Sequence, residues 1–168
     1  MKSMFKPFAA LGGVAVAGLV GALAWFSIAN ADSGATSKVQ TFYDLLSNPS
    51  SEELAAAFLD VTSDDWESIG NYSGENATRE QFVGQMGFFA KLLPDLNWEV
   101  QAMHVDGNFV TVRSRASGTP TGPLFGVDGQ GRSFDMLTID IHELSGGKIV
   151  RTYHVEDWST ALQQLAGQ

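Results

Sequence analysis

The sequence predicts a single α+β domain, with helices gathered in its first half and an antiparallel sheet in its second. Two observations carry this reading. Apolar residues recur at helical spacing up to Leu93, and from Trp98 onwards β-rich runs alternate and are joined by glycine-bearing turns. Helices followed by a run of hairpins give helices packed on one face of a curved sheet, an arrangement that can enclose a pocket.

The elements follow in order. Residues 1–31 have the form of an export signal. Lys2 and Lys6 precede an apolar run from Phe8 to Ile28, and Ala29-Asn30-Ala31 supplies a small-residue cleavage site. The apolar run is also long enough for an uncleaved membrane anchor, since about 20 residues suffice to span a bilayer. Either way the domain is expected outside the cytoplasm, periplasmic or extracellular, with a membrane association only if the segment stays attached.

Residues 32–36 read as a polar linker and 37–168 as the domain. Ser37 with Gln40 has capping-box spacing, and Val39, Phe42, Tyr43 and Leu46 form the inner stripe of a first helix that stops at Asn48-Pro49. Ser50 with Glu53 opens a second helix. A short strand is expected around Trp66 and Ile69. Thr78 with Gln81 opens a third helix, running through Phe82, Met86 and Phe89 to Pro94. Strands are then expected from Trp98 to Val105, Phe109 to Ser117 and Ser133 to Leu144, with a last strand after Gly146-Gly147. Between the second and third of these, residues 118–132 form a Gly- and Pro-rich loop whose Leu124, Phe125 and Val127 suit an inward plug or lid. An amphipathic helix with Leu162 and Leu165 ends the chain.

Composition removes several function classes. The net charge is −9; Lys2 and Lys6 are the only charges in residues 1–31, so the remainder holds 8 basic and 19 acidic groups. Such an acidic domain repels phosphate backbones, which argues against nucleic-acid binding. With no cysteine there is neither a disulfide nor a thiolate ligand or nucleophile, and the three histidines show no metal-ligand spacing, so no metal site is expected. Nor is there a G-x-S-x-G elbow, a phosphate loop or a dinucleotide fingerprint.

An ordered set of motifs resembles the SnoaL-like polyketide cyclase (ester cyclase) group of the nuclear-transport-factor-2-like superfamily. The residues that carry it are Phe89 with Leu93-Pro94-Asp95-Leu96, Val105-Asp106-Gly107-Asn108, Val110 and Val112-Arg113. Gly118-Thr119 with Gly122, Phe125-Gly126, Gly131-Arg132, Gly147-Lys148-Ile149, Asp157 and Gln164-Leu165 follow in order. The resemblance covers Lys38 to Gly167. It implies a cone-shaped fold with an internal pocket closed by the first and third helices, a homodimer paired through its sheets, and cofactor-free chemistry. In that chemistry an aspartate matching Asp157 removes a proton next to a carbonyl and the carbanion closes a ring. Two positions depart from the group: Pro120 stands where many relatives carry a loop histidine, and His154 where they often have tryptophan.

The candidate residues keep more than one reading each. Asp157 reads as the general base, its pKa raised by apolar neighbours, and as the N-cap of the last helix, two roles that are not exclusive. His154 either orients Asp157 or serves as the conjugate acid, or is structural; strict alternation puts it on the same face as Glu156, with Asp157 on the face of Val155 and Tyr153. Asp140 and His142 share a face that is either pocket-lining or solvated. Arg113 either clamps a substrate oxygen or is exposed. Tyr43, Trp66, Phe82, Phe89 and Trp98 either wall a flat ring system or form ordinary core.

The leading expectation is an exported ester cyclase or isomerase-type enzyme acting on a hydrophobic carbonyl compound. It places Asp157 and His154 at the chemistry, with Tyr43, Trp66, Phe89, Asp140, His142 and Arg113 around the substrate. The alternatives are a non-catalytic binding module for an apolar molecule and a dimerising partner-docking domain.

Overall fold

A computed structural model describes the backbone of residues 19–168 and the side chains from Ser33 onwards. Most of the expected export signal, residues 1–18, lies outside the described residues. The chain divides into two units, Met1–Ala31 and Asp32–Gln168, and the second holds the sheet and the core.

Helix α1 spans Leu19–Ser47, so residues 32–36, expected as a linker, are helical, and the Ser37 box does not open the helix. Helix α2 (Glu52–Val61) is capped by Ser51, whose side chain accepts from the Leu54 amide, one residue later than expected. Strand β1 (Thr62–Ile69) follows directly. A two-residue strand β2 (Ala77–Thr78) leads into α3 (Arg79–Leu92), where Thr78 and Gln81 form the expected capping box. Strands β3 (Asn97–Asp106), β4 (Phe109–Gly118), β5 (Phe134–Ser145) and β6 (Lys148–Glu156) form the meander, and α4 (Trp158–Ala166) closes the chain. Among the described residues no helix is long and apolar enough to cross a membrane.

The six strands form one sheet in the order β2-β1-β6-β5-β4-β3. All neighbours are antiparallel except β1 and β6. Among the described residues, four helices on a largely antiparallel sheet make this an α+β fold of the cone-shaped, nuclear-transport-factor-2-like type. The core sits where α1, α2 and α3 meet the inner face: Phe42 stacks on Phe82 with centroids 5.2 Å apart, and Phe58 meets Trp66 edge to face at 5.3 Å. These rings anchor α1 over the middle of β5 and β6. That placement brings Tyr43 onto the two strands that carry the titratable groups.

Candidate active site

The inner face of β5 and β6 is polar where a core is normally apolar. Along β5 the inward residues are Phe134, Met136, Thr138, Asp140 and His142, all buried. Along β6, Asp140 stands opposite His154 and His142 opposite Thr152 in register, and Thr138 faces Glu156. Antiparallel pairing therefore gathers Asp140, His142, His154 and Glu156 on one surface.

A cavity of about 310 Å³ opens over this surface. Its walls are largely apolar, including Phe82, Met86, Phe89, Trp98, Phe125 and Trp158, while His154 and Glu156 supply its titratable depth. A small hollow behind it is lined by Phe42, Phe82, Asp140, His154 and Glu156. Close approach by the His154 ring explains Gly70. A Cβ there would lie 2.8 Å from both Cε1 and Nε2 of the imidazole, so any larger residue would force the ring to move.

Trp158 Nε1 donates to Glu156 Oε2 at 2.5 Å, and Glu156 Oε1 lies 3.6 Å from His154 Nδ1, an ion-pair distance. The Glu156 carboxylate facing His154 holds the imidazolium above the ordinary histidine range, despite partial burial. Burial pushes Asp140 up to about 7, a rise that the hydrogen bond from Tyr43 Oη (2.8 Å) opposes. His142, completely enclosed, is pushed down to about 3 by burial and is neutral at physiological pH. Burial and the adjacent Asp140 raise the Tyr43 phenol, so it stays protonated and donates.

The structure separates the expected site residues into three groups. His154 and Phe89 line the cavity, and Asp140 lines the hollow behind it. Tyr43, Trp66 and His142 lie just beneath, buried, bonded through their polar atoms to one another or to Asp140 and Thr152. Asp157 and Arg113 fall elsewhere. Asp157 is exposed, its carboxylate accepts from the Thr160 amide at 3.0 Å as the N-cap of α4, and those hydrogen bonds hold its pKa below the usual carboxylate range. The cap is thus present, and Asp157 is not among the residues that line the cavity, in keeping with strand alternation persisting to the end of β6. Arg113 is likewise exposed, on the opposite face of β4 from the buried Val112 and Ser114, where it donates to Gln101.

Glu156 is the residue that sequence reasoning passed over. Its shared parity with His154 was the available signal. The 118–132 loop does turn inward: Leu124 is buried, and Phe125 stands at the cavity mouth, edge to face with Trp158 at 5.0 Å. Phe125 takes φ +48°, a left-handed conformation that costs a non-glycine residue of order 1 kcal/mol and holds the ring at the rim. Among the described residues no cluster of side chains is arranged to hold a metal ion.

Residues 37–165 match the SnoaL-like polyketide cyclase family. The chain belongs to that family. No curated protein matches the sequence itself. Solved structures share the fold. IdmH, a candidate polyketide cyclase from Streptomyces antibioticus, is 22% identical with a TM-score of 0.67, over 79% of this chain and 98% of that one. A candidate SnoaL-like polyketide cyclase from a Jannaschia species is 18% identical with a TM-score of 0.69, over 81% and 94%. A candidate polyketide cyclase from Bacillus cereus reaches 25% identity with a TM-score of 0.64, over 79% and 80%.

Proposed function

We propose that the protein is an exported, cofactor-free enzyme of the ester-cyclase or isomerase type, acting by proton abstraction next to a carbonyl. The observation that carries this reading is the pairing of Glu156 and His154 within one apolar cavity. Glu156 is the base: its carboxylate takes the proton from a carbon flanked by carbonyls, and the C–H electron pair moves onto the carbonyl oxygen. His154, held protonated by Glu156, donates a hydrogen bond to that oxygen and stabilises the enolate. In a cyclisation the enolate carbon then attacks a second carbonyl carbon, and protonated Glu156 returns its proton to the alkoxide. The base thus moves one residue from the position of Asp157.

Cavity chemistry narrows the substrate class. The described lining sets Glu75 and Glu156 against one cation, the His154 imidazolium, with neither lysine nor arginine, so it favours neutral, largely apolar carbonyl compounds over carboxylates or phosphates. Export rests on Lys2, Lys6, the apolar run and the Ala29-Asn30-Ala31 site. A thermal-shift panel of β-keto esters and polycyclic ketones beside their carboxylate analogues tests the reading. A ligand at 100 times its Kd adds about 2.7 kcal/mol. Stabilisation by neutral ketones with turnover seen by mass spectrometry supports it; binding without turnover by any ligand favours a binding module instead.

A second observation bears on assembly. Leu137, Ile139, Ile141 and Val155 are exposed together on the outer face of β5 and β6, beside a hollow of about 160 Å³ bordered by Tyr72 and Tyr153. Exposed apolar patches of this kind mark interaction surfaces. We propose that a second copy of the chain covers it, since a two-fold pairing places the same patch on both partners. Sedimentation analysis of the full chain checks this, a dimer being expected and a monomer contradicting it.

A further inference from the structure

Five polar side chains, four of them beneath the cavity floor, form one continuous run of hydrogen bonds. Trp66 Nε1 reaches Thr152 Oγ1 at 3.2 Å, and Thr152 Oγ1 lies 3.0 Å from His142 Nδ1. His142 Nε2 lies 3.0 Å from Tyr43 Oη, which donates to Asp140 Oδ2 at 2.8 Å. All five residues are buried, and they come from β1, β6, β5 and α1. Only Asp140 reaches the hollow beside His154 and Glu156.

Counting protons fixes the direction of the run. An indole N–H only donates, and a hydroxyl, a neutral imidazole and a phenol carry one donatable proton each. Trp66 therefore occupies an acceptor site on Thr152. Among the described residues the remaining partner of the Thr152 hydroxyl is His142 Nδ1, so Thr152 donates and Nδ1 accepts. The single imidazole proton is then on Nε2 and goes to Tyr43 Oη, and the phenol proton goes to Asp140. Reversing the run would leave the buried Thr152 proton without an acceptor, a loss of about 1–3 kcal/mol. Every donor points towards Asp140, and the polarity is set by His142 Nδ1 being, among the described residues, the acceptor left for the Thr152 proton.

We propose that this one-way run holds Asp140 as a hydrogen-bond acceptor at Oδ2, making Tyr43, His142 and Thr152 positioning residues that set the pH at which Asp140 ionises beside the His154–Glu156 pair. Asp140 then takes its proton on Oδ1, the oxygen not engaged by Tyr43. The groups facing Asp140 are Tyr43 from α1, His142 on its own strand, and His154 and Glu156 from β6; the hollow's other walls, from α1, α3 and β1, are Phe42, Leu46, Phe82 and Ser68, which do not titrate. The raised position of Asp140 and the neutrality of His142 agree with this arrangement. It rests on the proposed chemistry only for what the ionisation controls.

Nuclear magnetic resonance of the full chain tests it without substrate. With three histidines, ¹⁵N imidazole spectra separate readily, and carboxyl ¹³C shifts follow Asp140. The expected result is a neutral His142 protonated on Nε2 from pH 4 to 8. Tyr43→Phe, which removes a donor to the carboxylate, raises the Asp140 midpoint by about 1 pH unit. Trp66→Phe, which removes only a donor to Thr152, keeps the Nε2 tautomer, because the Thr152 proton still goes to His142 Nδ1. Protonation on Nδ1 in the unaltered protein overturns the proposal, as does an unmoved Asp140 midpoint in a folded Tyr43→Phe. The tautomer decides alone if the variants fail to fold. Absence of turnover would count against the proposed enzyme yet leave these spectra unchanged, so the two failures are distinguishable.

Discussion

Strands β4 and β5 lie side by side yet distribute polarity in opposite ways. On β4, Val110, Val112 and Ala116 are buried while Arg113 and Arg115 are exposed, the ordinary order for a half-covered strand. On β5, Thr138, Asp140 and His142 point inward while Leu137, Ile139 and Ile141 face out. Such an inversion is expensive: burying Asp140 and His142 requires partners for each polar atom, and exposing a row of aliphatic side chains forgoes their burial. It teaches where function lies. The buried polar side of β5 adjoins the proposed proton-transfer site, and its apolar outer side suits the proposed second copy, whereas β4 serves the core.

The first way to break the contrast is to remove the inner chemistry. Glu156→Gln keeps the shape and the contact with Trp158 but loses the base, so turnover of any identified β-keto ester should fall by about 10²–10⁴-fold. Steady-state kinetics read the loss. A drop below about 3-fold would return Glu156 to a structural role.

Next in size is the outer face. Ile139→Lys places a charge in the proposed dimer contact and should weaken association by about 30-fold or more while the fold is kept, as sedimentation and circular dichroism would show. Unchanged sedimentation would detach the apolar row from self-association.

The inner pair also sharpens the comparison through pH. Asp140, raised to about 7 from an ordinary 3.8, binds more protons folded than unfolded between those values, so its contribution to stability falls as pH rises. His142, lowered to about 3 from 6.5, does the reverse. The two slopes oppose each other between about pH 4 and 6.5, each at most about 1.4 kcal/mol per pH unit. Asp140→Asn removes one of them, and its melting temperature relative to the unaltered protein should climb as pH is raised from 4 to 7. A constant difference would contradict the buried, raised carboxyl.

The smallest effect concerns the rim. Phe125→Ala removes one exposed ring from the cavity mouth and relieves a left-handed phenylalanine only partly. Ligand affinity should weaken by about 2- to 12-fold, or about 0.5–1.5 kcal/mol, with little change in melting temperature.

How much of the fold and the site was legible depended on how local the signal was. The Thr78 capping box, the β3–β4 turn at Gly107 and the inner stripe of Val39, Phe42, Tyr43 and Leu46 are local patterns, and the structure repeats them. The start of α1 was not readable, because a capping box inside a longer helical stretch looks like a beginning. Asp140 and His142 were visible as a shared face, but their side of the sheet depends on where α1 lands, which is a tertiary matter. Strand parity did bear on Asp157. Alternation set Glu156 with His154 and Asp157 with Val155, and the resemblance to known cyclases outweighed it. The cap role of Asp157 predicts that Asp157→Ala loses about 1 kcal/mol of stability, measurable by denaturant unfolding.

The contest between Glu156 and Asp157 is settled most directly by proton exchange. The full chain would be incubated in deuterium oxide with a bound β-keto ester, and label at the carbon between the carbonyls followed by mass spectrometry. Glu156→Gln and Asp157→Asn would be run beside the unaltered protein. Exchange that persists in Asp157→Asn and collapses in Glu156→Gln is the predicted result. Exchange that survives in Glu156→Gln but is lost in a folded Asp157→Asn would contradict the placement of the base at the end of β6.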